Sequence, residues 1–150
     1  MRIQRLGPRD VLVLDRVRAL FAEAFEDPET YVARAPSAVY SAELLSAPFF
    51  IALAAIRGAD VVGGLIAYDL PKFEQERREF YLYDLAVAAP FRRQGIATRL
   101  IGALGALAQA QGGAGIFVQA HPEDAAAIAL YAKFGVRHDV CHFDIDANQG

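Results

Sequence analysis

The stretch Leu85-Ala86-Val87-Ala88-Ala89-Pro90-Phe91-Arg92-Arg93-Gln94-Gly95-Ile96-Ala97-Thr98 decides how this chain is read. Leading into it, Arg78 to Ala88 alternates Tyr81, Tyr83, Leu85 and Val87 with Phe80, Leu82, Asp84 and Ala86. A run apolar on both faces reads as a central strand. Beyond it, Leu100, Ile101, Leu104 and Ala108 mark one face of a helix spanning Ile96 to Gln111. At the turn between them, Gly95 and a small residue let the backbone approach a ligand closely. The first amides of the helix are unpaired donors at the positive end of its dipole, so Arg92 to Thr98 is a candidate anion site. The alternative is an ordinary exposed turn carrying two surface arginines, since so short a string needs structural context.

Upstream, Phe49 to Arg57 and Val61 to Leu70 are apolar and rich in branched and aromatic residues, with Gly58-Ala59-Asp60 between them. That pattern is a hairpin, and Gly63-Gly64 inside its second strand marks a bulge or a close backbone approach. From Asp10 to Phe25, the residues Leu14, Val17, Phe21 and Phe25 recur at helical spacing. Asp27-Pro28 reads as an N-cap with proline at the first helical position, and Ser37, Tyr40, Leu44 and Leu45 predict another short helix ending near Pro48. Downstream, the pattern predicts a strand over Gly115 to Ala120, a helix over Ala125 to Phe134 and a strand over Val136 to Ile145. The expected order is α-α-β-β-β-α-β-α-β: an α/β fold with a central mixed, mostly antiparallel sheet flanked by about four helices.

Length and composition agree with one domain. At 150 residues and 55% hydrophobic, a single core buries roughly 70% of the extended chain's surface without help from metals or disulfides. The lone Cys141 can form neither an internal disulfide nor a four-cysteine zinc site, and it is read as a small buried hydrophobe on the last strand. No metal is expected. The longest apolar run, Ala47 to Ile56, is well short of the ~20 residues that span a bilayer. The N-terminus, with Arg2, Arg5 and Arg9, lacks a signal-peptide pattern, so a cytoplasmic location is expected and no membrane partner. A net charge of −3 with scattered arginines argues against nucleic acid and in favour of a cationic ligand.

The order Leu85-Ala86-Val87, then Arg92-x-x-Gly95-x-Ala97, then Ala127-x-x-Leu130-Tyr131-x-x-x-Gly135 resembles the GNAT N-acetyltransferase superfamily from Phe49 onward. The resemblance implies a GNAT-like fold in one domain and acetyl-CoA as co-substrate. It implies that Arg92, Arg93, Gln94, Gly95, Ile96, Ala97 and Thr98 hold its pyrophosphate through backbone amides. It also implies that the strand carrying Leu85, Ala86 and Val87 splays from the next strand to receive the pantetheine arm, and that Tyr131 stands near the sulfur. Asp124 stands where the family often has asparagine, and Val136 where an aromatic is common. A closer resemblance, to the aminoglycoside 3-N-acetyltransferases of the gentamicin-resistance type, is carried by Leu70-Pro71-x-Phe73-Glu74-Gln75, Tyr81-x-Tyr83-Asp84-Leu85-Ala86-Val87 and His142-Phe143-Asp144-Ile145-Asp146. It implies acetylation of an amine on a polycationic aminosugar antibiotic.

Acetyl transfer from a thioester to an amine requires a neutral amine, a polarised carbonyl and a proton for the departing thiolate. Asp84 is the candidate base, on the central strand in phase with Leu82 and Ala86; otherwise it is a buried carboxylate held by an arginine or by backbone donors. Tyr131 is the candidate acid, since a phenol with a pKa of about 10 can protonate a thiolate; otherwise it packs as a core aromatic with Ile128 and Phe134. The amides of Ala86 and Val87 would polarise the carbonyl if the strand bulged there. Glu79, Glu123, Asp124, Asp144 and Asp146 are candidate substrate-binding acids, with Glu74, Glu76 and Asp139 nearby in chain order. Each is alternatively a solvated surface charge, Asp124 doubles as an N-cap, and His121 reads as structural. Two other functions compete: a GNAT enzyme for a protein N-terminus, a polyamine or another small amine, and a non-catalytic acyl-CoA sensor. A final strand at a sheet edge would be covered by a homodimer.

Overall fold

The computed structural model describes residues 1–148. Strand β1 is Arg2–Arg5, and helices α1 (Val11–Ala24), α2 (Pro28–Tyr31) and α3 (Ala38–Ser46) follow. Next come β2 (Phe50–Arg57), β3 (Asp60–Pro71) and β4 (Arg78–Val87), a 3-10 turn at Ala89–Phe91, α4 (Ile96–Ala110), β5 (Gly113–Val118) and α5 (Ala125–Ala132). The sheet runs β1-β2-β3-β4-β5, antiparallel throughout except for the parallel pair β4–β5. A parallel pair cannot be joined by a tight turn, and α4 is the crossover. The fold is the expected mixed α/β sheet, with five helices because α2 is a separate single turn.

The chain divides into two compact units, residues 1–119 and residues 120 onward. In the first, the sheet is covered on both faces, which is why Phe50 to Ile56 are all buried. Gly63 and Gly64 show how tightly. A Cβ on Gly63 would lie 3.1 Å from the Ile96 side chain of α4, and one on Gly64 only 2.7 Å from Val17 of α1. The two glycines therefore admit helices on opposite faces of β3, and the register slips beside them between Ala55 and Ile56. Helix α4 seats Ile96, Leu100, Ile101, Leu104 and Ala108, and α1 seats Leu14, Val17, Leu20 and Phe21. The caps form where the sequence places them: Asp27 accepts from Thr30 N at 3.1 Å and Ser37 from Tyr40 N at 3.1 Å.

Three features differ from the sequence expectation. Strand β1 is additional to it, because Arg-Ile-Gln-Arg shows neither an apolar run nor enough residues to establish a period. The strand expected over Val136 to Ile145 is absent, as residues 136–146 lie in no helix or strand. Its alternation changes phase, from Val136 and Val140 to Cys141, Phe143 and Ile145, so neither face is consistently apolar. Cys141 is accordingly exposed, not buried. No described helix is long and apolar enough to cross a membrane.

Candidate active site

The site is set by an irregularity in β4. Asp84 lies opposite Ile66, and Leu82 lies opposite the next residue of β3, Ala67, so Tyr83 is one residue too many. An extra residue reverses the alternation that follows. Asp84 is therefore out of phase with Leu82, contrary to the sequence reading, and in phase with Ala86, which packs with the α1 residues. The bulge occurs at Tyr83, and not at Ala86 and Val87 where the chemistry of the carbonyl would ask for one.

On that face, the Asp84 carboxylate accepts a hydrogen bond from the Tyr31 hydroxyl, Oη to Oδ2 at 3.0 Å. No ion pair among the described residues involves Asp84. Burial pushes its carboxyl above the usual carboxylate range, and the Tyr31 bond opposes that rise. The Tyr31 phenol is itself pushed well up, first by burial and then by the Asp84 charge. Sequence reasoning misses Tyr31. It is 53 residues from Asp84, and the only signal available is the Asp27-Pro28 cap that starts its helical turn.

Beside Asp84 runs a shelf of rings. Tyr68 meets Tyr83 edge-on with centroids 5.7 Å apart, Tyr83 meets Tyr81 at 5.4 Å, and Tyr81 stacks on Phe117 of β5 at 4.5 Å. Tyr83 and Phe117 are exposed. Exposed rings of this kind attract a cation that comes within about 6 Å of the centroid.

Strands β4 and β5 pair from Arg78 to Leu82 against Gly113 to Val118 and no further. Beyond the unpaired Tyr83, Asp84 to Val87, including Leu85 and Ala86, are paired on the β3 side alone. At the far end of this open edge, Arg92 Nε donates to Val87 O at 3.2 Å. The Gln94 side-chain oxygen accepts from Arg57 at 3.2 Å, and that guanidinium also lies 5.0 Å over the Phe91 ring. Two side chains of the loop thus hold it on the sheet, and Ile96 is buried beneath it. Arg93 and Gly95 are exposed. Arg93 (φ 62°) and Gly95 (φ 77°) are both left-handed, and α4 begins at Gly95 with no side-chain cap. Left-handed residues alternating in a turn bring successive N–H groups to one concave side. With the uncapped amides of Ile96, Ala97 and Thr98, the loop has the donors a pyrophosphate needs.

The candidate acids divide. Glu79 is already neutralised, 2.8 Å from Arg77 and 3.8 Å from Lys72, and Glu74 shares the same cations. Glu76 is exposed. In the second unit, Asp124 caps α5 by accepting from Ala127 N at 3.1 Å. There too, Asp144 lies 2.8 Å from His142 Nε2, Asp146 accepts from Asn148 N, Asp139 pairs with Arg137, and Glu123 and His121 are exposed. Tyr131 is half-buried on α5. Two shallow depressions of about 280 and 370 Å³ lie around Arg77 and Gly112 to Phe117, at the other end of β4 from Asp84.

A parallel pair that parts midway, followed by a helix start with no side-chain cap, goes with a likeness to known proteins along most of the chain. Residues 14–136 match the acetyltransferase (GNAT) family. The chain belongs to the GNAT acetyltransferases. This family uses acetyl-CoA. The GNAT chain is 52% identical to the crystal structure of an aminoglycoside acetyltransferase, HMB0005, from an uncultured soil metagenomic sample, with a TM-score of 0.96 over 98% of each chain. It is 29% identical to the soil-metagenome aminoglycoside acetyltransferase meta-AAC0020 in complex with sisomicin, at a TM-score of 0.91 over 98% of this chain and 96% of that one. A ribosomal-protein-alanine N-acetyltransferase from Brucella melitensis biovar Abortus 2308 is 25% identical, with a TM-score of 0.74 over 97% and 99%. Similar folds thus occur in aminoglycoside acetyltransferases and in a ribosomal-protein-alanine N-acetyltransferase. No curated protein sequence matches the chain.

Proposed function

We propose that this GNAT acetyltransferase, acting as one domain, moves the acetyl group of acetyl-CoA to an amine of an aminoglycoside. The observation that carries the reading is Asp84, a half-buried carboxylate with no ion pair among the described residues, placed where β4 loses its β5 partner. Likeness to two soil-metagenome aminoglycoside acetyltransferases supports the substrate class. The 3-amino group is the acceptor implied by the Leu70-Pro71-x-Phe73, Tyr81-x-Tyr83-Asp84 and His142-Phe143-Asp144 stretches.

When bound, acetyl-CoA supplies an activated thioester carbonyl. The backbone amides of Arg92 to Thr98 hold its pyrophosphate, and the open β4 edge at Leu85, Ala86 and Val87 receives the pantetheine arm. An alkyl ammonium is mostly protonated at neutral pH and must lose a proton before it attacks. Asp84 takes that proton, directly or through water. Its burial suits this, because a carboxylate raised above its ordinary range is a stronger base. The shelf of Tyr68, Tyr81, Tyr83 and Phe117 attracts the substrate's other ammonium groups by cation–π interaction. Tyr131 is proposed to protonate the departing thiolate. Glu79, Glu123, Asp124, Asp144 and Asp146 contribute a diffuse negative field, since each already has a partner or lies in solvent.

Thiol release from acetyl-CoA across a panel of aminoglycosides, polyamines and peptides tests the reading, with NMR of the product to locate the new amide. Turnover of an aminoglycoside acetylated at the 3-amino group is expected. Turnover of peptides or simple polyamines alone would move the protein to another GNAT substrate, and tight acetyl-CoA binding without turnover of any amine would make it a sensor. In the same assay Tyr131→Phe is expected to lower kcat about tenfold at little change in KM. Wild-type turnover in that variant would assign Tyr131 to packing.

A further inference from the structure

We propose that Tyr31 is the positioning residue of the Asp84 base: its phenol donates to Oδ2 and fixes the carboxylate, leaving Oδ1 for the acceptor amine. The inference rests on the reading of Asp84 as base.

The geometry is built from the first turn of α2 outward. Pro28 presets the turn and Asp27 caps it through Thr30 N, which leaves Tyr31 at its end. The ring is then held on two sides. It meets Phe21 edge-on with centroids 5.7 Å apart and at an interplanar angle of 73°, and it lies 5.6 Å from Phe25. Phe21 belongs to α1 and is buried in the core, and Phe25 is the C-terminal cap residue of that helix. The hydroxyl placed by these ring contacts donates to Asp84 Oδ2 at 3.0 Å.

A short carboxylate without a cation has few other constraints. An ionised carboxylate has about four acceptor sites on two oxygens, and one donor occupies one of them. The remaining oxygen stays basic, whereas an arginine fork would engage both oxygens and suppress the base. The other titratable groups that interact with Asp84 are the phenols of Tyr68 on β3 and of Tyr81 on β4, and Tyr83 and Asp27 act on Tyr31. None of these is a cation. Among the described residues, Tyr31 is thus the group on this face that steadies the charged carboxylate through a hydrogen bond, and its bond opposes the rise caused by burial.

Tyr31→Phe keeps the ring and removes the donor. The expected result is a fall of about tenfold in kcat at neutral pH, with KM nearly unchanged, since a misplaced base costs chemistry more than binding. The acid limb of the kcat/KM profile moves to higher pH, because a bond that lowers the Asp84 pKa is gone. Titration of the Asp84 carboxyl by ¹³C NMR reads the same upward move without turnover. In an Asp84→Asn background, Tyr31→Phe should add nothing. If Tyr31→Phe is too unstable to assay, Pro28→Gly loosens the turn that carries Tyr31, leaves the charges around both partners unchanged, and should give a smaller change of the same sign. An unchanged profile and unchanged carboxyl titration in Tyr31→Phe, with Asp84→Asn inactive, would overturn the positioning role and leave the base intact. Full activity of Asp84→Asn would remove the base and this proposal together.

Discussion

The two halves of β4 carry carboxylates in opposite circumstances. In the half from Arg78 to Leu82, which is bonded to both β3 and β5, Glu79 sits among Arg77 and Lys72. Across the strand pair, the buried Asp69 is gripped by Arg78 Nε at 2.8 and 3.0 Å. In the half beyond the Tyr83 bulge, where Asp84 to Val87 pair with β3 alone, Asp84 has a phenol and no ion pair among the described residues. Charge neutralisation and double pairing go together in the first half, and both stop at the bulge. On the proposed reading of Asp84 as base, this difference separates a structural carboxylate from a reactive one. A buried charge left without a counter-charge is held at a cost, and such groups persist where chemistry uses them.

The sharpest way to break this comparison is to neutralise one acid in each half. Asp84→Asn preserves shape and is expected to lower kcat about a hundredfold, the contribution of a positioned base. Glu79→Gln should leave kcat within about twofold, because ion pairs open to solvent contribute little. Equal small losses at both positions would mean that proton removal belongs to water and that the halves of β4 do not differ in function.

A second test separates binding from chemistry in the open half. Gly95→Val places a branched side chain at φ 77° where only glycine is comfortable, although a Cβ there would meet no atom within 4 Å. The loss therefore falls on the loop's conformation, not on packing. Calorimetry is expected to show acetyl-CoA affinity at least about tenfold weaker in a folded Gly95→Val protein, while Asp84→Asn binds acetyl-CoA as the wild type does. Undiminished affinity in Gly95→Val would remove the loop from the acetyl-CoA site.

What is legible in the sequence and what is not follow the same physical divide. The turn at Arg92 to Thr98, the seating of α4 by Leu100, Ile101, Leu104 and Ala108, and the caps at Asp27, Ser37 and Asp124 are local, so spacing reveals them. The Gly63-Gly64 pair also announces a close approach, and α1 and α4 supply it. The Tyr83 bulge leaves no mark, because the alternation from Phe80 to Val87 reads through it unbroken and only pairing with Ile66 and Ala67 exposes the extra residue. Tyr31 is hidden for a related reason, since its partner is brought to it by the packing of α1 and α2 on the sheet. The strand expected over Val136 to Ile145 is the converse error: apolar residues are visible there, but a strand exists only where a neighbour completes its ladder.

The smallest expected effect tests the cause of the contrast, not its consequence. Burial holds the Asp84 carboxyl above the range it has in the unfolded chain. Between the ordinary value, about 3.9, and the higher folded value, the folded protein keeps a proton that the unfolded chain has released. Stability therefore falls as pH rises through that window and is level above it, while below the ordinary value both states are protonated and the penalty disappears. The amide introduced by Asp84→Asn has no such titration. That variant should accordingly be no more stable than the wild type at the acid end and gain on it as pH rises to neutral, reaching a Tm higher by at most a few degrees. Urea unfolding of the two proteins at a series of pH values reads the difference directly. A variant that instead loses ground on the wild type as pH rises would show that the Tyr31 bond outweighs burial. Asp84 would then be a well-satisfied carboxylate like Asp69, and the two halves of β4 would be alike.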